Sequence, residues 1–121
     1  MQCKNYRQAE SILKGRDKKK VANNTWLVRL GHDRIGLKLH TTFVVIYYLR
    51  YCTLHTGGWK TVTTKARIND FSSANVWQKK GDWYLSHVTE DEQYDEDFEE
   101  GMKIRNSPSR MEVLKSMIAS A

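Results

Sequence analysis

The chain has 121 residues, 40% of them hydrophobic, and a formal net charge of +6. That length suits one domain with a modest core. No apolar run is long enough for a membrane span, and two cysteines are too few for a disulfide scaffold.

The charge is unevenly distributed. Residues 1–82 hold sixteen Lys/Arg against five Asp/Glu, residues 83–100 hold eight acids and no Lys/Arg, and residues 101–121 hold four bases and one acid. A basic body beside an acidic segment points to an anionic partner or to internal neutralisation of a basic face. Met1-Gln2-Cys3-Lys4-Asn5 lacks the apolar core of a secretory signal, so the expected setting is a reducing cytosol with free thiols.

Taken in order, Tyr6 to Lys14 is expected to form a short helix, with Asn5 as its cap, Gly15 as its stop, and Tyr6, Ala9, Ile12 and Leu13 on one face. Lys14 to Lys20 carries five cations in seven residues and reads as a basic loop able to meet phosphates. Trp26 to Leu30 alternates as a strand, with Trp26, Val28 and Leu30 on one face. Gly31-His32-Asp33 turns the chain into Arg34 to His40, where Ile35, Leu37 and Leu39 point inward and Lys38 and His40 outward. Phe43 to Tyr48 is apolar on both faces and is expected to be a central strand, followed by Tyr51 to His55.

Gly57-Gly58-Trp59-Lys60-Thr61-Val62-Thr63-Thr64-Lys65-Ala66-Arg67-Ile68-Asn69 then supplies a glycine turn, hydroxyls and cations where a helix begins, with Thr61 or Thr63 as its cap. This arrangement suits a small anion. Val76 to Lys79 and Trp83 to His87 flank Lys80-Gly81-Asp82 as another hairpin. Like charges in Thr89 to Glu100 imply a mobile segment. Ser107-Pro108 opens a C-terminal helix with Met111, Leu114, Met117 and Ile118 as its apolar stripe.

The expected fold is α+β: a small antiparallel sheet of about four to six strands with a helix on one face, a short N-terminal helix and an amphipathic C-terminal helix. The expected organisation is a single α+β domain over 1–88, an acidic mobile segment over 89–106 and the helix over 107–121.

Asn23-Asn24-Thr25, Leu39-His40-x-Thr42-x-Val44-Val45 and the Gly57 to Asn69 stretch together resemble a family of small tailed-bacteriophage proteins of unestablished activity, over about Tyr6 to Tyr84. The resemblance implies a phage origin and expression in a bacterial host's cytoplasm.

Little in the chain points to catalysis. His32, His40, His55 and His87 form no metal-spaced motif. Cys52 is expected in the core beside Leu54, and only Glu10, Asp17, Asp33, Asp70 and Asp82 supply carboxylates before residue 83. The expectation is therefore a non-enzymatic phage accessory binding protein without cofactor or metal.

The leading reading is a protein of host takeover or anti-defence, such as an anti-CRISPR-type inhibitor, binding nucleic acid, nucleoprotein or nucleotide. Its contacts would be Lys18, Lys19, Lys20, Lys60, Thr63, Thr64, Lys65 and Arg67, with tyrosines such as Tyr48, Tyr51 or Tyr84 available to stack on bases. The alternative is a phosphate mimic that inhibits a host defence protein through Glu90, Asp91, Glu92, Asp95, Glu96, Asp97, Glu99 and Glu100. A small nuclease comes third. Residues 107–121 could also join copies of the chain.

Overall fold

The computed structural model describes residues 3–88 and 93–105. Helix α1 (Tyr6–Leu13) starts where Asn5 accepts the Gln8 N–H and stops where Lys14 turns left-handed at φ 52°. It is followed by strands β1 (Lys18–Ala22), β2 (Thr25–Arg29), β3 (Ile35–Leu39), β4 (Thr42–Tyr47) and β5 (Tyr51–Leu54). Helix α2 (Val62–Asp70) comes next, then β6 (Asn75–Lys79), β7 (Asp82–Val88), β8 (Gln93–Asp97) and β9 (Met102–Arg105).

The strands form two antiparallel sheets, one of six strands in the order β1-β2-β3-β4-β5-β9 and one of three in the order β6-β7-β8. Register decides which side of the wide sheet is buried. Leu27 stands opposite Leu37, Leu37 opposite Val45, and Val45 opposite Leu54, so these four share one face. All four are fully buried, and Ala9 and Leu13 of α1, Ile68 of α2 and Val76, Trp83 and Leu85 of the small sheet join them in one core.

Individual bonds tie the layers together. Arg29 donates two hydrogen bonds to the Glu10 carboxylate, at 2.6 and 2.9 Å, and so fastens α1 to β2. The buried Tyr47 hydroxyl donates to the Phe71 carbonyl just after α2. Both carboxylate oxygens of Glu100 accept the Thr56 N–H, and Oε1 also accepts the Thr56 hydroxyl, which fixes the turn before β9 against the end of β5.

The α+β expectation of one small sheet with a helix on its face is corrected here. Among the described residues the protein is mostly β, with nine strands in two sheets and only two short helices. All the expected strands exist, and β4 is interior as expected, but β6 and β7 belong to a second sheet rather than extending the first. Strand β1 begins within the stretch read as a basic loop and runs two residues past it. β8 and β9 fall within or just beyond the acidic stretch read as mobile. In each case strand pairing overrides a local composition that suggests solvation. The expected C-terminal helix over 107–121 lies outside the described residues. No helix among the described residues is long and apolar enough to cross a membrane.

Candidate nucleic-acid interface

The register that buries Leu27 and Leu37 turns their strand neighbours to the opposite face. There Lys20 on β1 stands opposite Trp26 on β2, Trp26 opposite Lys38 on β3, and Lys38 opposite Phe43 on β4. Cation and ring thus alternate along a row crossing four strands, each about 4.8 Å from the next. Three ammonium groups lie over rings on this face: Lys18 over Trp26 at 5.8 Å, Lys38 over Phe43 at 6.0 Å and Lys103 over Tyr51 at 4.9 Å. Tyr48 stacks on Tyr51 with ring centroids 4.7 Å apart, and Arg105 stands opposite Tyr51 on β9.

The face is uncovered among the described residues. None of its apolar side chains belongs to the core, and Trp26 is 37% exposed. The paired strand positions facing this way include Lys18, Lys20, Lys38, Lys103 and Arg105 and no Asp or Glu. One glycine shapes the surface: a Cβ on Gly36 would lie 2.5 Å from the Phe43 ring, so the missing side chain makes room for that ring over β3.

The contacts expected from sequence are dispersed. Lys18 and Lys20 lie exposed on this face, whereas Lys19 turns half-buried to the other side. Lys60 is exposed in the loop before α2. Thr61 caps α2 by accepting the Thr64 N–H at 3.1 Å, and Thr64 is buried with its hydroxyl 3.0 Å from that of Thr61, while Thr63 is exposed. Arg67 donates to the Thr25 hydroxyl at 2.9 Å, fastening α2 to β2. Lys65 reaches Gln78 and lies 5.9 Å from the Trp83 ring. The α2 cations therefore serve helix packing and do not join Lys18 and Lys20.

The reading from sequence missed Trp26, Lys38, Phe43, Lys103 and Arg105 as site residues. The outward direction of Lys38 was legible from alternation in β3. The remaining members needed the register of β1 and β9.

The described acids of the acidic stretch lie on β8 and just after it. All five residues of β8, an outer strand of the small sheet among the described residues, are exposed, Asp95, Glu96 and Asp97 among them. Ser86 donates to Asp95, and His87 lies 3.3 Å from Glu96. Glu99 is exposed and Glu100 is engaged with Thr56. Glu90, Asp91 and Glu92 lie outside the described residues.

The thiols are built into the core. Cys3 is fully buried, and burial raises its pKa; burial pushes the Cys52 thiol up to about 12. At neutral pH Cys52 is a protonated core side chain. Burial lowers the His55 pKa, partly offset by Glu100, and its Nε2 lies 2.8 Å from the Thr53 hydroxyl.

The fold and this face define a mostly β protein with a basic, aromatic sheet surface. The chain belongs to the Kyanoviridae Gp96 protein family, whose family model matches residues 3–105. That match takes in β8 and β9 as well as the Tyr6 to Tyr84 stretch, and it ends before the 107–121 segment. No curated protein matches the chain. No solved structure matches it.

Proposed function

We propose that this phage protein is a non-enzymatic binding protein that holds a single-stranded nucleic acid on the outer face of its six-stranded sheet. The observation that carries the reading is the cross-strand row Lys20–Trp26–Lys38–Phe43, on a face whose paired strand positions carry no acid. Exposed rings stack on bases of any identity, and lysines beside them meet the phosphates between those bases. A duplex keeps its bases stacked inside and offers the rings nothing to stack on, so the partner is a single strand.

The lack of carboxylates at those positions also disfavours the nuclease reading, because a hydrolytic site would need a general base or metal ligand beside the bound strand. The setting we infer is the host cytoplasm, in takeover or anti-defence, where the bound strand is free or part of a nucleoprotein.

A second reading rests on the exposed acids of β8, which could mimic a phosphate backbone towards a host protein. Fluorescence anisotropy with a labelled single strand and its duplex, at low salt, tests the first reading. The protein is expected to bind the single strand at least tenfold more tightly. Equal affinity for both, or none for either, would defeat it.

A further inference from the structure

Between the β3–β4 turn and the start of α2 lies a cleft of about 470 Å³, within the range of roughly 300–1,000 Å³ typical of ligand sites. One wall is Leu39 to Thr42, the turn that joins β3 to β4; the other is formed by Trp59, Thr61, Thr63 and Thr64. Gly57 sets the approach of the two walls. It holds φ 62°, and a Cβ there would lie 2.8 Å from Thr42. The turn that Gly57 and Gly58 make leaves the Trp59 indole 67% exposed.

We propose that this cleft receives one nucleobase of the single strand lying on the sheet face, stacked on Trp59; the inference rests on the reading above. Three observations favour a base. Lys38 and Phe43 are the last outward-facing pair before the β3–β4 turn, whereas Leu39 and Val44 in the cleft face the core side, so a strand crossing the row reaches the cleft by passing round that turn. The lining carries no Lys, Arg, Asp or Glu, which leaves a phosphate or a cation with no counter-charge and suits an uncharged heterocycle. The His40 imidazole and the hydroxyls of Thr41 and Thr63 have no side-chain partner among the described residues, and they can meet the edge of a base.

The test compares wild type, Trp59→Ala and Trp59→Phe on a short oligothymidylate and on an abasic sugar–phosphate strand of equal length. Trp59→Ala is expected to bind the oligothymidylate about tenfold more weakly, in line with the worth of one base–aromatic stack, with an unchanged salt slope. Trp59→Phe should stay close to wild type, and all three proteins should bind the abasic strand alike. Melting temperature should not move, since Trp59 is largely exposed. If Trp59→Ala matches wild type on oligothymidylate while Lys38→Ala weakens binding, the cleft holds no base and the sheet-face reading stands. If wild type binds neither strand, both readings fall.

Discussion

Gly36 and Phe43 show how one residue can shape a binding surface without touching a ligand. The Phe43 ring occupies the space over β3 that a side chain at Gly36 would fill, with Leu30 Cδ1 also 3.0 Å from that position. Gly36→Ala must push the ring aside. Because the displaced atoms belong to a side chain, the stability cost should be modest, about 1–3 kcal/mol for overpacking. The stacking platform, by contrast, is disturbed at its centre. The expected outcome is a fall of several-fold in single-strand affinity with an unchanged salt slope, measured by anisotropy beside a thermal melt. Unchanged affinity would mean that Phe43 does not contact bases.

At the scale of elements, the hairpins were legible and the edges were not. Gly31-His32-Asp33 and the alternation of Ile35, Leu37 and Leu39 mark β2 and β3 because turn chemistry and period agree. The glycine turn and Thr61 cap of α2 were legible for the same reason. β1 was not, since Lys18, Lys19 and Lys20 give no contrast between its faces; only pairing with β2 shows that Lys19 turns inward and its neighbours outward. In β2 the set Trp26, Val28 and Leu30 is more apolar than Leu27 and Arg29, yet Leu27 is buried, because its partner across the sheet is Leu37. Half of the interface therefore depended on a register that no local pattern specifies.

β8 was hidden by its charge, and those acids give a prediction. Deleting the segment would remove a strand, so the informative change is neutralisation with the fold kept: Asp95→Asn together with Asp97→Asn, since Asn can still accept from Ser86. If the acids of β8 only oppose the approach of an anion, single-strand binding should tighten about twofold at low salt, and the gain should vanish at high salt. A host protein retained by wild type and lost by the variant would instead favour β8 as the contact.

Across the whole molecule, the two faces of the wide sheet do different work. The wide sheet turns its lysines and rings outward on one side. The helices and the small sheet pack on the other, and β8, an outer strand of the small sheet among the described residues, carries exposed acids.

The most direct measurement is the slope of log binding constant against log salt for a single-stranded oligonucleotide, in wild type and in Lys18→Ala/Lys38→Ala/Lys103→Ala. Each phosphate contact contributes about −0.7 to the slope, so losing three should flatten it by about two, while Phe43→Ala lowers affinity and leaves the slope intact. A triple variant with the wild-type slope, or a wild type with no detectable affinity at low salt, would contradict the assignment of this face.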